Sequence, residues 1–69
     1  MDSLATPPLD ATTLTILTAL ASGCPATEVA ALSGASPRTV RRRLAELRAA
    51  WGSQTNTGVV ARAVRSGYI

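Results

Sequence analysis

Apolar residues recur at helical spacing in four stretches of the chain, each bounded by residues that start or stop helices. In the first, Leu14, Leu17, Leu20 and Ala21 form the stripe, supported by Ile16. Asp10 precedes it as an N-cap, Leu9 and Leu14 can close a hydrophobic staple, and Gly23 follows as a left-handed terminator. This predicts a helix over about 11–22. Pro25 opens a second, short helix over 26–33, whose stripe is Val29, Ala30 and Leu32 and whose end is Ser33-Gly34. The third has the strongest start, with Ser36 as N-cap and Pro37 at the first helical position, where its missing N–H does no harm. Its apolar line runs Val40, Leu44, Leu47, Trp51, predicting a helix over 37–51 closed by Gly52. Thr55 or Asn56 can cap a last helix over 57–66, before Gly67.

That last segment is apolar on more than one side. With Val60 and Val64 docked on a core, Val59 and Ala63 lie about 100° round the helix and form a second, exposed strip that a partner could cover. Residues 1–8, with Pro7-Pro8, read as a disordered or extended lead-in, which leaves 9–69 as the folded unit. The expected fold is all-α, a compact domain of four helices.

Length and composition narrow the chemistry. Sixty-nine residues suffice for one small core. With no His and one Cys, the usual Cys/His metal sites, a Cys/His nucleophile and a disulfide framework are excluded. Four carboxylates, none paired by spacing, and no Lys or His for proton transfer argue against an enzyme, and no cofactor or small-molecule ligand is indicated. No apolar run reaches the roughly 18–20 residues of a membrane span, and the chain opens on an acidic residue where a signal peptide would be basic. A cytoplasmic protein is expected, with Cys24 a small hydrophobe in a reducing compartment.

Charge changes the picture more. All seven basic residues are Arg and all lie at or beyond position 38: Arg38, Arg41, Arg42, Arg43, Arg48, Arg62 and Arg65. Residues 1–34 hold Asp2, Asp10 and Glu28 and sum to −3, whereas the second half sets seven arginines against Glu46 and sums to +6. GC-rich coding could enrich Arg, but not arrange it. On the third helix Arg38, Arg41, Arg42 and Arg48, with Ala45, fall opposite or beside the apolar line, so guanidinium groups run along one side. Glu46 is placed for a local ion pair with Arg42 or Arg43, and Trp51 for packing at the core or its rim. Two helices joined by the tight turn Ser33-Gly34-Ala35-Ser36, the second rich in Arg, describe a helix-turn-helix. Its second helix can enter a DNA major groove, with Arg41 and Arg42 at base edges and Ala45 small enough for close approach or a thymine methyl.

These residues resemble the LuxR-type (GerE-like) helix-turn-helix domain of bacterial transcription regulators. The resemblance runs without gaps from Leu9 to Ile69. It is carried by Gly23, Glu28-Val29-Ala30, the run Gly34-Ala35-Ser36-Pro37-Arg38-Thr39-Val40-Arg41-Arg42, Leu44, Gly52, Thr57, Val60-Ala61-Arg62-Ala63 and Gly67-Tyr68-Ile69. The family pattern is departed from at Pro25, where Ser is usual, at Ser33, usually apolar, and at Arg43, where His is common. The resemblance implies four helices, the third reading bases through Arg41, Arg42 and Ala45, with Thr27, Ser36, Arg38, Thr39 and Arg43 on the phosphate side. It also implies a homodimer on double-stranded DNA, with Val59, Arg62 and Ala63 of the last helix as its contact. A competing expectation is a stand-alone protein-interaction module that binds RNA polymerase or another regulator and uses DNA weakly or not at all, motivated by the Val59/Ala63 strip.

Overall fold

The computed structural model describes residues 9–69, so the lead-in expected over 1–8 lies outside the described residues. Four helices follow in chain order: α1 (Ala11–Ala21), α2 (Ala26–Ser33), α3 (Pro37–Trp51) and α4 (Asn56–Arg65). All the regular structure among the described residues is helical, and each expected boundary is met to within one residue.

The caps explain why these segments are helical. Asp10 accepts from the Thr13 amide at 2.9 Å, Ser36 from Thr39 at 3.1 Å and Thr55 from Gly58 at 3.0 Å, each satisfying an N–H that the first turn leaves without a backbone partner. No side chain caps α2 behind Pro25. Gly34 and Gly52 close α2 and α3 at φ +72° and +65°, a backbone region that costs glycine nothing. In the α2–α3 turn, the Ser33 hydroxyl donates to the Ala30 carbonyl at 3.1 Å and accepts from the Ala35 amide at 3.4 Å. A polar residue at this half-buried position therefore braces the turn and leaves no orphaned group.

α1 packs chiefly on α2, α3 on both α2 and α4, and α4 returns to α1. Ile16, Leu17, Val29, Leu47, Val59 and Ala63 are completely shielded from solvent, with Val40, Leu44, Ala19 and Ala30 nearly so. Leu9, Leu20, Trp51, Val60 and Ile69 close the edges. Every buried side-chain polar atom among the described residues has a hydrogen-bond partner. The line Val40, Leu44, Leu47, Trp51 faces inward as its spacing predicts.

Three expectations are corrected. In α1 the buried positions are Thr13, Ile16, Leu17 and Ala19, while Leu14 and Leu20 are half-buried and Ala21 exposed. Most of the circumference of α1 is apolar, and Thr13 can turn inward because its hydroxyl accepts from Arg43. In α2, Leu32 is 62% exposed. With Val29 and Ala30 inward, the helical period carries Leu32 about 110° from their midline.

In α4 the two stripes are exchanged. Val59 and Ala63 are core, Val60 is half-buried and Val64 is 52% exposed. The α3–α4 turn leads α4 back onto the core. Thr55 caps the helix, Ser53 donates to the Thr55 carbonyl at 3.1 Å, and Gly58 lies so close to the Ser53 hydroxyl that a Cβ there would displace it. Val59 is thereby delivered directly onto the core, and Ala63, one turn on, is small enough to let α4 lie close.

Candidate nucleic-acid interface

Once Val40, Leu44 and Leu47 are committed to the core, helix periodicity places every other side chain of α3. Arg38, Arg42 and Ala49 point directly away from it, Ala45 beside them. Arg41 and Arg48 lie on the flank toward the N-termini of α2 and α4, and Arg43 and Glu46 on the opposite flank. Arg38, Arg41, Arg42 and Ala45 are exposed, so the three candidate base readers share one accessible arc. Ala45 leaves a gap in the row of guanidinium groups through which another surface can approach the helix backbone.

Arg41 also meets α2. A shallow groove of about 140 Å³ is lined by Ala26, Thr27, Pro37, Val40 and Arg41, bringing the candidate phosphate residue Thr27 beside a candidate base reader. A neighbouring depression of about 230 Å³ runs past Arg41 and Arg48 to Asn56, the first residue of α4. There the Arg48 guanidinium donates to the Asn56 side-chain carbonyl. Ser36 is exposed, and its hydroxyl donates to that of Thr39 at 3.1 Å, which leaves the Thr39 proton for another acceptor. Thr39 itself is half-buried.

Arg42 pairs with Glu46 at 3.5 Å across one helical turn, with both side chains well exposed. Such a pair contributes little and can be exchanged for a stronger anion. Glu46 is the one carboxylate on α3. Arg43 is engaged away from the outward arc. Its side chain is only 19% exposed, and Nη1 donates to Asp10 Oδ1 at 2.9 Å, to Asp10 Oδ2 at 3.2 Å and to the Thr13 hydroxyl. Asp10 responds: its pKa is lowered from 3.8 to about 2, chiefly by the Thr13 amide, then by Arg43.

The surface assigned to the last helix also changes. Val59 and Ala63 are shielded and cannot form a contact surface. Arg62 is exposed, its guanidinium carbon 5.4 Å from the centroid of the Trp51 ring, on which Tyr68 also stacks at 5.9 Å. Cation–π attraction holds Arg62 at the rim of the molecule. Among the described residues, the large apolar groups open to solvent are Leu32, Val64 and Tyr68.

Sequence reasoning did not find the Asp10–Arg43 and Arg48–Asn56 pairs. The first joins residues 33 apart, which no local pattern signals, and in the second Asn56 was read only as a cap. Among the described residues no cluster of His, Cys, Asp and Glu could hold a metal ion, and no helix is long and apolar enough to cross a membrane. Compared with known proteins, the chain matches no family model, no curated protein and no solved structure.

Proposed function

We propose that this chain is a sequence-specific, double-stranded DNA-binding domain of the LuxR-type helix-turn-helix kind, acting in transcription regulation in the bacterial cytoplasm. The observation that carries the reading is the exposed arc of α3: Arg38, Arg41 and Arg42 arranged around Ala45, directly after a braced turn and an N-capped first turn. A helix with its side chains is about 10–12 Å across and enters a major groove of about 12 Å when such an arc faces the bases. Arg41 and Arg42 then donate to guanine O6 and N7, the latter on releasing Glu46, and Ala45 lets the helix sit deep. Arg38, the Thr39 hydroxyl, Ser36 and Thr27 at the start of α2 lie beside the phosphates, where the N-terminal dipoles of α2 and α3 favour negative charge. Arg43, occupied by Asp10, is left out of the contact set.

Two substitutions separate the roles. Arg41→Ala is expected to cost about 1–3 kcal/mol on the preferred duplex and to relax base preference at one position. Arg38→Ala is expected to weaken preferred and scrambled duplexes alike and to reduce the slope of log affinity against log salt by about 0.9. Fluorescence anisotropy on both duplexes across a salt series reads both. Equal losses on every sequence for the two variants would remove the division between base and phosphate contacts.

A second reading, a protein-interaction module for a polymerase subunit or another regulator, is favoured by Leu32, Val64 and Tyr68, which leave apolar surface uncovered. A folded chain that ignores every duplex at low salt would put this reading first.

A further inference from the structure

We propose that Asp10 is a positioning residue for DNA readout: by holding Arg43, its carboxylate sets the rotation of α3 about its own axis and so aims Arg41 and Arg42. The inference rests on the DNA-binding reading above.

α3 must be held against rolling about its own axis if its outward side chains are to point one way. Its core line consists of three aliphatic residues and a half-buried Trp51, and apolar attraction is non-directional, so hydrogen bonds on the flanks refine the rotation. Among the described residues, two side chains of α3 hydrogen-bond to other helices or their caps, on opposite flanks of the core line. On one side Arg48 donates to Asn56 at the start of α4. On the other, Arg43 donates to both oxygens of Asp10 and to Thr13 at the start of α1, the helix against which α3 otherwise packs least. Arg43 and Arg48 are about 140° apart on the helical wheel, so the two pairs act as struts on either side of the axis. Arg38, Arg41, Arg42 and Ala45 project from the arc away from the core. Productive side-chain geometry tolerates only about 10–20° and 0.5 Å, and a guanidinium carried well off the axis moves by more than this when the helix rolls by a fraction of one residue step.

Arg43 is also much less exposed than Arg42, the other arginine of α3 in an ion pair, at 19% against 58%. All three bonds leave from Nη1, so the strut holds the guanidinium by one end. The carboxylate is itself anchored by accepting the Thr13 amide as the N-cap of α1, so the strut ends on a fixed point.

The test compares Asp10→Asn, Arg43→Gln, Arg43→Lys and the double variant Asp10→Asn/Arg43→Gln with Arg38→Gln, on the preferred and a scrambled duplex over a salt series. Asn at position 10 preserves the cap acceptor, and far-ultraviolet circular dichroism confirms that each variant is folded. If Asp10 positions α3, Asp10→Asn and Arg43→Gln each weaken the preferred duplex roughly tenfold, as expected when about one bidentate base contact is lost, and leave the scrambled duplex and the salt slope unchanged. The double variant is then no worse than either single one, and Arg43→Lys restores part of the preference. The proposal is overturned if Arg43→Gln flattens the salt slope as Arg38→Gln does, or if Asp10→Asn leaves base preference intact. A wild-type chain that prefers no duplex would instead overturn the DNA-binding reading itself, and is distinguished because it needs no variant to be seen.

Discussion

Asp10 shows how much one exposed carboxylate can do when it caps one helix and holds another. Its pKa is depressed to about 2 in the folded chain from 3.8, so folding favours its ionised form. The resulting stabilisation is fully present above about pH 4 and is lost as the pH falls through about 2, where the carboxyl is protonated in both folded and unfolded chains. Acid titration followed by circular dichroism should therefore find Asp10→Asn less stable than wild type at neutral pH, with the difference closing between about pH 4 and 2. A difference that persists undiminished below that window would show that the ionised carboxylate is not its source. Asp10 was legible as an N-cap because a cap acts within three residues. Its hold on Arg43 was not, because position 43 could be assigned only by its place on α3.

Among the elements, α3 was the most legible and α4 the least, and the contrast has a physical cause. α3 carries charged or small residues wherever it does not carry large apolar ones, so only one face can turn inward. α1 and α4 carry apolar residues on two faces, and periodicity alone cannot choose between them. The turn at Ser53, Thr55 and Gly58 leads into α4, and packing on α3 and α1 buries Val59 and Ala63 and leaves Val64 outside. In α2, length was the difficulty: eight residues give too few repeats to show that Leu32 falls off the stripe. The placement predicts that Leu47→Ala, at a fully shielded position, costs about 2–5 kcal/mol, enough to threaten a domain of this size. Leu32→Ala should stay within about 0.5 kcal/mol. Urea denaturation measures both, and a large loss at Leu32 would mean that this side chain is covered in solution.

On the scale of the whole molecule, the charge asymmetry becomes an asymmetry of surface. Arg38, Arg41 and Arg42 line the outward side of α3, while Arg62 is held on Trp51 and Arg65 lies further along α4. Since Val59 and Ala63 are core, any pairing through α4 must use Val64 and the flanks of the helix. A symmetric pairing there would bring Arg62 and Arg65 of two copies together, with no carboxylate on α4 to offset them. Dimerisation is therefore expected only where DNA phosphates neutralise part of that charge. Analytical ultracentrifugation should find a monomer in free solution, and two copies on a duplex carrying half-sites about one helical turn apart. A tight dimer without DNA would show that the arginines of α4 are accommodated in some other way.

The number and order of the helices, their ends and the Arg-bearing face of α3 follow from interactions within one or two turns of chain, and these the residue order specifies directly. The inward faces of α1 and α4, the exposure of Leu32 and the capture of Arg43 by Asp10 belong to the assembled fold. Each depends on where another helix lies, and that position is reached only when all four compete for the same small core.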